Sequence, residues 1–157
     1  MLSNGSIGSA WAQNYTVTSR IPLHPSSGTP FSDYTPSRSP HALSHASISF
    51  VHGGLSPMFV ETHGTPYPSN INALGALLLR RCQTRNPQPP PHPPGAYTGL
   101  PPDATSAEKV LYGSDGPLWY RGWAMDGERA VCSKVGKVLE QIGARRMIMG
   151  HTPDFNV

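Results

Sequence analysis

The sequence predicts an α/β domain, and three observations carry that prediction. Ile48-Ser49-Phe50-Val51 reads as a buried strand, with Ile48 and Phe50 alternating about Ser49 and Val51 adding a second apolar face. Two stretches, Ser69 to Arg81 and Asp126 to Ile142, carry apolar residues at helical spacing. A second apolar strand, Met147-Ile148-Met149, then runs into Gly150-His151-Thr152-Pro153, repeating the layout in which the first strand delivers His52 into Gly53-Gly54. Open α/β sheets place their chemistry at the C-terminal ends of strands, where both histidines fall.

Composition narrows the alternatives. A chain of 157 residues is the size of one domain with a real core, so residues 1–157 read as a single domain. Proline (18) and glycine (16) exceed a fifth of the chain, well above average usage, and the excess is local rather than spread. A net charge of +3 with scattered Lys and Arg gives no nucleic-acid footprint. No apolar run approaches a membrane span, and Met1-Leu2-Ser3-Asn4-Gly5 lacks the basic start and apolar core of a signal peptide. Asn4-Gly5-Ser6 and Asn14-Tyr15-Thr16 match the glycosylation sequon and leave a secretory route open. Cys82 and Cys132 lack metal spacing and can either pair or stay free.

Along the chain, Ile7 to Tyr15 suits a helix around Trp11. Residues 22–46 are rich in Pro, Ser, Thr and His and read as a long irregular insertion. The strand to His52 follows, with two glycines beside the histidine that let backbone or ligand approach closely. In Ser69 to Arg81, Ile71, Leu74, Leu77 and Leu78 share one face, and Arg80 and Arg81 suit the helix C-terminus. A second irregular insertion spans 84–104, and within it Pro87 to Pro94 favours polyproline II, the form that SH3- and WW-type grooves bind. Thr105-Ser106-Ala107-Glu108 is a capping-box pattern opening a short helix through Leu111. The loop from Tyr112 to Trp123 then sets Arg121 among three aromatics, where it either stacks or holds an anion. In Asp126 to Ile142 the apolar face is Val131, Val135, Val138, Leu139 and Ile142, and Gly143 supplies the stop.

Neutral imidazole binds Zn, Mn or Fe well, and an arginine beside it can grip a phosphate through two parallel hydrogen bonds. Two strand-end histidines and one loop arginine are therefore the parts of metal-assisted phosphate-ester hydrolysis.

His52-Gly53-Gly54-Leu55-Ser56-Pro57 resembles the HGGLSP block of the phosphoprotein phosphatases, within the calcineurin-like metallophosphoesterases. Gly150-His151 looks like the family's later GH block, and Asp115 to Gly122 looks like the block ending in its phosphate-binding RG. The wording is most similar to the bacterial-like (Shewanella-like) branch as it occurs in fungi. The resemblance implies an αββα sandwich with long Pro-rich loop insertions, and a metal-bridging water that attacks phosphorus in line. It implies two divalent ions (Mn, Fe or Zn), with His52 and His151 as ligands of one of them and Arg121 as the phosphate grip. The implied substrates are phosphorylated proteins of the Ser/Thr type or small phosphoesters. The family's opening blocks, GDxHG, GDxVDRG and GNHE, which supply the aspartates, the asparagine and the general-acid histidine, have no counterpart: the sequence holds no Gly-Asp or Gly-Asn pair. The expectation is thus a C-terminal portion of such a domain that binds metal weakly and is inactive alone, with no catalytic residue assigned. His41, His45, His63 and His92 read as loop residues outside the site. The competing expectation is a non-catalytic pseudophosphatase or a Pro-rich binding module.

Overall fold

The structure, a computed structural model, describes residues 5–23, 47–84, 100–101 and 103–153. Within them the chain is mixed α/β. Three strands, β1 (Thr18–Pro22), β2 (Ser47–Val51) and β3 (Arg146–Met149), form one sheet in the order β1-β2-β3. β1 runs antiparallel to β2 with Thr18 opposite Val51, and β3 runs parallel to β2 with Met149 opposite Val51. Six helices complete the set: α1 (Ser6–Asn14), α2 (Pro57–His63), α3 (Ser69–Thr84), α4 (Ser106–Tyr112), α5 (Gly122–Met125) and α6 (Glu128–Gln141). The expected polyproline segment, Pro87 to Pro94, lies outside the described residues, as do His41, His45 and His92.

The helices cover one face of the sheet. Val51 joins Leu55, Phe59, Tyr67, Ile71, Leu111, Val138 and Ile142 in a single core cluster, with Met147 and Met149 packed against it. Side chains alternate along a strand, so the face bearing Val51 also bears Ser49 and Ser47 of β2 and Thr18 of β1. Those residues are buried, whereas Ile48 and Phe50 are only half-buried. The sequence pattern, apolar residues on both faces of β2, left open which face turns inward. What decides it is Tyr67, fully buried in the core. Thr18 Oγ1 commits its proton to the Phe50 carbonyl at 2.8 Å, so the Tyr67 hydroxyl donates to Thr18 (2.6 Å) and accepts from Ser49 Oγ (2.5 Å). A serine is stable inside because every polar atom around it is partnered.

The outer edge of β1 is blunted by a side chain. Asn72 of α3 accepts from the Thr18 N–H at 3.0 Å and donates to the Thr18 carbonyl at 2.9 Å, standing in for a neighbouring strand. α4 opens with the expected capping box between Thr105 and Glu108. The buried Glu108 carboxylate also receives Arg81 of α3 at 2.7 Å, which ties the two helices together. Bonds from Thr105, first its backbone N–H, hold the Glu108 carboxyl below its ordinary value, outweighing its burial. α6 ends where Gly143 adopts φ 62, a left-handed conformation that glycine enters without a Cβ penalty.

Three elements were not expected, among them the short α5 in what reads as loop. β1 ends in Pro22, which masks a strand in the sequence but suits an edge position. α2 places His63, expected in a loop, as its last residue, stacked on Phe59 at 5.2 Å. Cys82 and Cys132 do not form a disulfide. No helix among the described residues is long and apolar enough to cross a membrane.

Candidate functional site

The parallel pairing of β2 and β3 brings their C-terminal ends together. One bond beyond the strands, the Gly150 N–H donates to the His52 carbonyl at 2.9 Å. The chain then turns: His151 adopts φ 64, a left-handed conformation that histidine enters more readily than most side chains. The turn aims its ring back across the sheet end, and His151 Nδ1 comes to 2.9 Å from His52 Nε2.

Arg121 arrives from a third element. Backbone and side chains of residues 53–56 hold its loop. The Gly53 and Gly54 N–H groups both donate to the Pro117 carbonyl, at 2.8 and 3.3 Å. The loop lies so close that a Cβ on Gly53 would stand 2.8 Å from the Trp119 nitrogen, nearer than real Cβ atoms come. Ser56 accepts from the Phe59 N–H as the N-cap of α2, and its hydroxyl donates to the Asp115 carbonyl at 2.7 Å. From this loop Arg121 Nη2 reaches His151 Nε2 at 3.0 Å. Trp119 sets its ring edge-on to the His151 ring, centroids 4.9 Å apart. Tyr112, Ser114, Trp119 and Arg121 line a cleft of about 510 Å³ beside it.

These contacts fix the protons. A guanidinium only donates, so His151 Nε2 accepts from Arg121, and the neutral ring keeps its proton on Nδ1 and donates to His52 Nε2. Loss of hydration, then the neighbouring Arg121 and His52, lower the His151 pKa and favour the neutral ring over the imidazolium. The 2.9 Å between His52 Nε2 and His151 Nδ1 is the length of that hydrogen bond; two imidazole nitrogens on one tetrahedral ion at ~2.0–2.1 Å each stand roughly 3.3–3.4 Å apart, so the rings would have to part by a few tenths of an ångström to share one. Among the described residues no group of three or more His, Cys, Asp or Glu could hold a metal.

All three sequence-predicted site residues thus meet in one row, His52, His151, Arg121. Sequence reasoning missed the supports. Ser-Pro at 56–57 was a readable signal, an N-cap followed by proline at the first helical position, and it announces α2. The Ser56 bond to the Asp115 carbonyl had no local signal.

No protein-family model matches the chain, and no solved structure matches it. The chain is similar to an uncharacterized protein of the fission yeast Schizosaccharomyces pombe, at 30% identity over 107 residues, or 68% of this chain. It spans about a quarter (26%) of that relative's length.

Proposed function

We propose that the chain contributes the His52–His151–Arg121 part of a metal-dependent phosphoesterase centre, of the Ser/Thr protein phosphatase-like, calcineurin-like type. The observation that carries the reading is the row of contacts at 2.9 and 3.0 Å joining the three residues from separate elements. In this reading His52 Nε2 and His151 Nδ1 hold one divalent ion (Mn, Fe or Zn), which lowers the pKa of a bound water. To ligate through Nδ1, His151 keeps its ring proton on Nε2 instead. Arg121 then faces a donor and turns its N–H groups to another acceptor, for which a phosphate oxygen is the natural choice. The apolar sheet face left open by the helices, with Ile21 53% and Ile148 47% exposed, supports an αββα sandwich in which a second sheet covers it. Among the described residues no carboxylate joins the two histidines; a two-histidine site holds metal weakly, and on this reading the chain alone gives little or no turnover.

Titration with Co²⁺, followed by its absorption spectrum, tests the ligands. Weak binding is expected, abolished by His52→Ala and by His151→Ala, with no p-nitrophenyl phosphate turnover in Mn²⁺. Binding that survives both substitutions sinks the assignment, and robust turnover lost in His52→Ala overturns the inactivity.

A further inference from the structure

Arg121 can meet a phosphate beside the two histidines only if its loop is held in place, and a side-chain hydrogen bond ties the loop's far end to the strand end. We infer that Trp123 is the positioning residue for Arg121, an inference resting on the reading of Arg121 as the phosphate grip. Arg121 is the N-cap residue of α5, a helix of 4 residues with Trp123 in its first turn. The Trp123 indole N–H donates to the Leu55 carbonyl at 2.9 Å, three residues beyond His52. Its ring also packs edge-on against Tyr120, centroids 5.5 Å apart, and would contact a Cβ on Gly54 at 3.0 Å through Cδ1. Arg121 thus has an aromatic fixture on each side in sequence, and both press on the Gly54–Leu55 backbone. Ser56 secures the other end of the loop through the Asp115 carbonyl. The Gly53 and Gly54 N–H groups hold it between, at the Pro117 carbonyl. Among these fastenings, only the Trp123 bond lies within the short helix that Arg121 begins. Its loss lets α5 shift against the strand end, and Arg121 moves with it while His52 and His151 stay on β2 and β3.

Trp123→Phe keeps an aromatic ring and removes the donor; 3-benzothienylalanine at 123, which replaces the indole N–H with sulfur at nearly constant shape, serves if Phe destabilises the fold. Three readouts separate positioning from loosening: the ¹⁵N shifts of the His151 ring, the affinity for inorganic phosphate in the presence of Co²⁺, and the affinity for Co²⁺ alone. The expected result is a His151 Nε2 shift that moves as it does in Arg121→Ala. Phosphate affinity falls roughly five- to tenfold, the scale of one hydrogen bond, and Co²⁺ affinity holds within about twofold. An unchanged His151 shift, or phosphate and Co²⁺ affinities falling together, overturns the inference. If the wild-type chain binds no phosphate, the phosphate-grip reading falls separately, and the His151 shift still decides whether Trp123 seats Arg121.

Discussion

The two faces of the small sheet carry nearly opposite chemistry from what burial alone suggests. The covered face holds Thr18, Ser47 and Ser49 beside Val51, while the open face holds Ile21, Ile48, Phe50 and Ile148. Alternation along a strand says that two faces differ, but not which one turns inward. The decision rests with what the helices present. Tyr67 brings a hydroxyl to the sheet centre, and the face with Thr18 and Ser49 can satisfy it, whereas a face of isoleucine and phenylalanine would strand it. A core polar group has selected the register in which the chain packs.

Three changes test this contrast. Phe59→Ala removes a fully buried ring from the covered side, and urea unfolding should show a loss of about 3–5 kcal/mol. Tyr67→Phe keeps the packing and removes the shared hydroxyl, at about 1–2 kcal/mol. It also has a pH signature. Burial raises the Tyr67 pKa above its ordinary 10.0, so the unfolded chain releases this proton first. Stability should therefore hold below pH about 10 and fall as pH rises beyond it, and Tyr67→Phe should remove part of that fall. Smallest of all, Ile148→Thr on the open face should change stability by no more than about 0.5 kcal/mol. A cost for Ile148→Thr that matched Phe59→Ala would break the contrast, since it would mean that the open face is covered in solution.

Much of this was legible in the sequence where one local rule acted alone. The α6 stripe from Val131 to Ile142, the Thr105–Glu108 cap and the two apolar strands ending in histidine all stand where their patterns put them. α3 runs to Thr84, past the Arg81 that charge at a helix end suggested. β1 was not legible, because its closing Pro22 blends into the Pro-rich stretch and its pairing is with residues far along the chain. The inward turn of Ser49 was equally hidden, since its cause sits on Tyr67. At the site, strand-end logic sufficed to bring His52 and His151 together. The Arg121 contact depends on the Gly53–Ser56 backbone accepting a loop from much later in the chain, and sequence spacing does not encode such an encounter.

The left-handed backbone of His151 sets stability against side-chain contact at a single position. With φ at 64, a side chain there costs on the order of 1 kcal/mol that glycine would recover. Glycine or asparagine would suit that backbone better, and neither carries the ring that meets His52, Arg121 and Trp119. A glycine at 151 should therefore steady the fold while it dissolves the row of contacts at the strand ends.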